Sequence, residues 1–94
     1  MGGEVYAMEL KYKKRLIMEL KDFIIAFAEQ FDDVEPENLS GTTNFRDIDE
    51  WSSIVALSVI AMADEEYEVE LKGDDIKNSN TVEEIFNIVK SRVK

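Results

Sequence analysis

The stretch from Glu50 to Tyr67, EWSSIVALSVIAMADEEY, constrains the chain more than any other segment. It is apolar for most of its length, opens on two serines and closes on a run of acids, so whatever fold forms has to bury it. Val55, Leu57, Val59, Ile60, Ala63 and Tyr67 supply most of an inward face, which predicts a helix from about Ser53 to Glu66. Ser52 stands where an N-cap is needed, its hydroxyl able to accept a hydrogen bond from a first-turn amide. Asp64, Glu65 and Glu66 fall at the C-terminal end, where the helix dipole disfavours negative charge by about 0.3–1 kcal/mol per group at low salt. Two readings of these acids stand side by side: they solvate a small helix, or they are kept for a partner.

The rest of the chain supplies what this helix packs against. Leu16, Leu20, Phe23, Ile24, Phe27, Ala28 and Phe31 recur at three- and four-residue spacings, predicting a first helix from about Leu16. Met18 is a natural start for the domain, which then spans 18–94. Residues 1–17 form a basic extension, either an arm or a continuation of that helix. Asp32 to Ser52, with Pro36, Gly41 and Thr42-Thr43-Asn44, reads as a long loop. Val34, Leu39, Phe45, Ile48 and Trp51 are spaced along it as anchors, and a loop this long in a small domain packs down or has a function.

Glu68-Val69-Glu70-Leu71 alternates like a strand without a second strand to pair with, so it is expected as an extended connector with Val69 and Leu71 turned inward. Gly73 breaks the chain, and Asp74 to Lys77 forms one helical turn around Ile76. Thr81 and Glu84 make a capping box for a last helix whose buried stripe is Val82, Ile85, Phe86 and Val89. Lys90, Arg92 and Lys94 lie in its final turns, where cations are favoured. The expected fold is all-α: a small four-helix bundle of three main helices and one short one.

Composition removes whole classes of chemistry. With no cysteine and no histidine in 94 residues, disulfides, Cys/His zinc sites and Ser-His or Cys-His catalysis are excluded. No apolar run approaches the roughly 20 residues that span a bilayer, and Met1 to Ile17 lacks the basic-then-apolar order of a secretory signal, so a soluble, cytoplasmic chain is expected. Lys11, Lys13, Lys14 and Arg15 outnumber Glu4 and Glu9 in the first segment, so the remainder is more negative than the net −10 of the whole. That surface repels phosphate backbones and anionic lipid and attracts a basic protein patch, which argues against nucleic-acid or membrane binding. Asp32, Asp33, Glu35 and Glu37 do not fit the twelve-residue calcium-loop pattern and read as a solvated acidic loop.

Ser53 carries the functional argument. As a nucleophile it has no histidine, no Ser-x-x-Lys and no Gly-x-Ser-x-Gly elbow, so hydrolase activity is not expected. At the first turn of a helix it is well placed to hold a phosphate ester, because free backbone N–H groups and the helix dipole favour an anion there. Read together, a helix, a long anchored loop, Asp47-Ile48-Asp49-Glu50-Trp51-Ser52-Ser53-Ile54 opening an apolar helix, Asp64-Glu65-Glu66-Tyr67 closing it, a short helix and Thr81-Val82-Glu83-Glu84-Ile85-Phe86 opening the last one resemble an acyl carrier protein over about residues 18–93.

The resemblance implies an acyl-carrier-like bundle that is not itself an enzyme. It implies a 4′-phosphopantetheine arm, transferred from coenzyme A to Ser53 and holding acyl groups as thioesters for fatty-acid or polyketide-like biosynthesis. Ser52 stands where the family has aspartate and Ile54 where it has leucine. The implied partners are a phosphopantetheinyl transferase, a ketoacyl synthase and other acyl-processing enzymes, which dock a monomeric carrier through basic patches. On the same ground Asp64 and Glu65 are docking acids, Ile54, Leu57, Ala61 and Met62 are an apolar strip beside the attachment point, and Ile76 borders the arm. The alternative is an unmodified acidic helical module that binds a basic protein.

Overall fold

Helix α1 spans Leu20–Ala28 and buries Phe23, Phe27 and Ala28 on one face, as the three- and four-residue spacing requires. The computed structural model describes residues 19–93; the basic segment 1–17, the expected helix start near Leu16, the expected domain start at Met18 and the terminal cation Lys94 lie outside them. The helix is shorter at its far end than the periodicity suggested. It stops at Ala28, and two tight turns, Gln30 N–H to Phe27 O and Phe31 N–H to Ala28 O, carry Phe31 into the core instead.

The loop that follows is ordered by its own anchors. Phe45 is fully buried, and Val34, Leu39, Ile48 and Trp51 pack against the core at partial exposure. Two 3-10 turns, Pro36–Asn38 and Phe45–Asp47, shorten its path. Trp51 joins Phe45 at 4.6 Å between ring centroids and stacks on Phe27 at 6.4 Å and 10°. The Glu50 carboxylate accepts the N–H groups of Asp32 at 2.8 Å and Asp33 at 3.0 Å, which ties the two ends of the loop together.

Helix α2 spans Ser53–Tyr67, and the Ser52 hydroxyl accepts from Val55 N–H at 3.3 Å as its N-cap. Val59, Met62, Ala63 and Tyr67 are its buried residues. Leu57, expected on the inward face, is instead 65% exposed. Residues three or four apart share a helix face, so Val59, Met62 or Ala63, and then Tyr67 form the buried row, with Val55, Ala56 and Ile60 half-buried at its edges. Leu57 sits two residues before Val59 and projects away. Burial pushes the Tyr67 hydroxyl above its usual range, with Asp22 and Glu66 adding to the effect. The chain leaves α2 through Glu68 in the left-handed region at φ 55°.

Val69 and Leu71 are both 2% exposed in the extended connector. Helix α3, Gly73–Lys77, begins at the glycine expected to be a break; the Asp75 carboxylate accepts Lys72 N–H at 2.8 Å and stabilises its start. Helix α4, Val82–Arg92, buries Val82, Ile85, Phe86 and Val89 and opens with the capping box. Glu84 N–H donates to Thr81 Oγ1 at 3.2 Å, and Glu84 Oε1 accepts from Thr81 N–H at 3.0 Å. The remaining first-turn donors of α4 go to the loop: Val82 N–H to Thr43 O at 3.1 Å and Glu83 N–H to Gly41 O at 2.9 Å. Among the described residues there are four α-helices and no strand, only an isolated antiparallel bridge between Asn44 and Thr81.

Candidate attachment site

Ser53 is the first residue of α2, and its side chain is exposed. The position follows from local chemistry. Trp51 anchors the end of the loop on Phe27, Phe31 and Phe45, Ser52 adopts extended backbone to cap, and Ser53 is therefore delivered at the helix start beside a rigid aromatic cluster. The N–H groups of Ser53 and Ile54 occupy the first turn and have no intrahelical acceptor, so with the helix dipole they favour an anion on the Ser53 oxygen.

Beside Ser53 lies an open, mainly apolar cleft of about 330 Å³ between α2, α3 and the loop, lined among others by Trp51, Ala56, Leu57, Ile60 and Ile76. Arg46 and Lys77 are the cations at this cleft. A serine ester at its mouth would have fixed amide donors at the phosphate and an apolar trough for the rest of a flexible arm. The donor set and the trough both fit a phosphopantetheine group.

The structure sorts the other residues expected here. Ile54 is 76% exposed and Leu57 65% exposed, and they stand one turn apart next to Ser53 with exposed Ala61 a further turn along. Met62 does not belong to that strip: it is 4% exposed and packs in the core, because it shares the buried row with Val59 rather than the face of Leu57. Ile76, expected to border the arm, lines the cleft and at 5% exposure is a wall and not a free surface. Asp64 and Glu65 are exposed toward the far end of α2, about three turns from Ser53.

Sequence reasoning passed over four side chains that hold this site. Glu50 ties the loop ends, as above. Arg46 donates to Ser79 O at 2.6 Å, Asn80 Oδ1 at 3.2 Å, Ile76 O at 3.0 Å and Lys77 O at 2.9 Å. Arg92 pairs in two places with Asp75, at 2.7 and 3.0 Å, and donates to Glu70 O at 3.0 Å. This pairing, followed by the Lys72 amide, holds the Asp75 carboxyl below its usual range. One signal did exist for Arg46: it is the sole cation between Lys21 and Lys72, in a stretch where a lone positive charge has to be satisfied by something.

The fold and site are those of a small helical domain that presents an exposed serine at a helix N-terminus beside an apolar cleft. The chain belongs to the phosphopantetheine-attachment-site family, whose profile matches residues 22–89. No curated protein and no solved structure matches it significantly. The domain is thus a carrier of covalently attached 4′-phosphopantetheine, is not itself an enzyme, and works with transferases and acyl-processing enzymes. Among the described residues no helix is long and apolar enough to cross a membrane, and no group of three or more carboxylates could hold a metal ion.

Proposed function

We propose that Ser53 is the attachment residue and that the domain delivers acyl groups to the enzymes of a fatty-acid or polyketide-like pathway. The observation that carries this reading is the exposed Ser53 side chain at the first position of α2, on the lip of the apolar cleft. The bound arm supplies a terminal thiol, which this cysteine-free chain lacks. The chain's own residues do the rest: Ser53 and Ile54 amides steady the phosphate, Trp51, Leu57, Ile60 and Ile76 give the arm an apolar surface, and Ser52 holds the helix start in place. Covalent tethering replaces diffusion of the acyl group by delivery at high effective concentration.

Ile54, Leu57 and Ala61, with Asp64 and Glu65 beyond them, form the face we assign to partner docking. Exposed acids steer a basic patch into encounter and add little to lifetime, so the carrier leaves once a step is complete. The transferase and a ketoacyl synthase are the partners this face suits. Incubation with coenzyme A, magnesium and a broad-specificity phosphopantetheinyl transferase should add one phosphopantetheine mass to the intact protein. Ser53→Ala should abolish the addition and Ser52→Ala should retain it. Addition to the Ser53→Ala variant would move the attachment elsewhere; no addition to the parent chain would favour an unmodified acidic module that binds a basic protein.

A further inference from the structure

Helix α3 has five residues, too few to persist as an isolated helix, yet it forms one wall of the cleft beside Ser53. It contributes a single buried side chain, Ile76. Its C-terminal end is closed locally by Asn78 N–H on Asp74 O, Ser79 N–H on Ile76 O and Ser79 Oγ on Asp75 O, and it is tied to the rest of the fold by a distant side chain. The two terminal nitrogens of the Arg46 guanidinium donate to Ile76 O, which it shares with Ser79 N–H, to Lys77 O, and to Ser79 O and Asn80 Oδ1 just past the helix end. The same guanidinium lies 5.0 Å above the ring of Phe45, which is fully buried and packed on Trp51. Trp51 is the residue that delivers Ser52 and Ser53. One side chain therefore joins the aromatic base of the attachment site to the wall facing it.

We propose that Arg46 is the positioning residue of the cleft: by clamping α3 to the Phe45–Trp51 base it sets the separation of α3 from α2 at Ser53, and with it the bulk of acyl chain the cleft admits. Arginine suits this role because its planar fork presents donors along two edges at once, which a single ammonium cannot do. The consequence for cargo rests on the reading of Ser53 as attachment residue. The clamp itself is measurable on the unmodified protein, so a failure at Ser53 and a failure of the clamp give separate results.

Arg46→Met keeps the length and apolar stem and removes every donor. By amide hydrogen exchange on the full chain, the Asn78 and Ser79 N–H groups, which close α3 onto Asp74 O and Ile76 O, should exchange about tenfold faster or more, while Phe27 and Val89 amides change by less than about threefold. Methyl shifts of Leu57 and Ile60, on the opposite wall, should move, and those of core Ile85 should not. Val89→Ala, a core variant in α4, serves as the control for plain destabilisation and should speed exchange in all helices alike. Arg46→Lys, which retains charge and stem, should speed the Asn78 and Ser79 amides by about threefold or more, because one ammonium cannot span the three carbonyls. Wild-type exchange at α3 in either variant, equal acceleration across all helices in Arg46→Met, or unmoved Leu57 and Ile60 methyls would each overturn the proposal.

Discussion

Leu57 and Met62 are both large apolar residues of α2, five positions apart, and the structure assigns them opposite roles. Truncating each to alanine tests that assignment. Met62 is 4% exposed within the core cluster, so Met62→Ala loses the buried side chain and leaves a cavity, at a cost of about 2–5 kcal/mol. Leu57 is 65% exposed, so Leu57→Ala forfeits little burial and places a slightly better helix former on the surface, a change within about ±0.5 kcal/mol. At roughly 0.05–0.15 kcal/mol per residue, a domain of this size has a total stability of about 4–11 kcal/mol, so the Met62 variant loses a large part of it and the Leu57 variant almost none.

The assay is urea unfolding followed by the fluorescence of Trp51, the only tryptophan in the chain, which packs on Phe45. With a slope near 1 kcal/mol per molar urea for so small a domain, Met62→Ala should lower the midpoint by about 2 M or more, and Leu57→Ala by less than about 0.5 M. A second readout separates surface from core: Leu57→Ala should slow transfer to an acyl-processing partner although its fold is intact. Equal midpoint losses in the two variants, or a Met62→Ala midpoint within experimental error of the parent, would refute the argument.

Other outcomes follow from single contacts. Asp75 and Glu84 both titrate below their ordinary values of 3.8 and 4.5 in the folded chain, Asp75 chiefly through Arg92 and Glu84 through the Asn80 and Thr81 amides. Depressed folded values mean that the unfolded chain takes up protons first as pH falls, so the stability they contribute is present above those ordinary values and is lost on acidification through them toward the lower folded ones. A thermal melting series from neutral to acid pH should show that loss, and Asp75→Asn should flatten it. Gly41→Ala places a Cβ 2.9 Å from Leu20 Cδ2 and 3.2 Å from Glu83 Cβ; crowding of this kind costs about 1–3 kcal/mol, readable as a lower urea midpoint. Ser52→Ala removes the acceptor for Val55 N–H and should cost about 1 kcal/mol by the same assay, whereas Ser52→Asp, an equally good cap, should be close to neutral.

Much of this molecule is determined by the linear chain itself. Helix periodicity places Phe23 and Phe27, and Val82, Ile85, Phe86 and Val89, on buried faces because residues three or four apart share a side of any helix, whatever lies opposite. Caps are equally local: Ser52, and Thr81 with Glu84, bond to amides three residues away, so their partners are readable from spacing alone. The serine at the start of α2, and thus the candidate attachment point, belongs to this class.

Tertiary structure decided what depends on distant partners. Whether Leu57 or Met62 faces solvent turns on where α1 and α4 lie, since an apolar run with hydrophobic residues nearly all round does not reveal which edge stays uncovered. Arg46 reaches carbonyls some thirty residues away, Glu50 reaches amides at the opposite end of its own loop, and Arg92 meets Asp75 from a different helix. None of these pairings has a period or a spacing, because each forms only when segments distant in the chain pack together. The cleft beside Ser53 is made in the same way, from α2, α3 and the loop together, and the charge that holds its wall was visible in the sequence only as a solitary arginine.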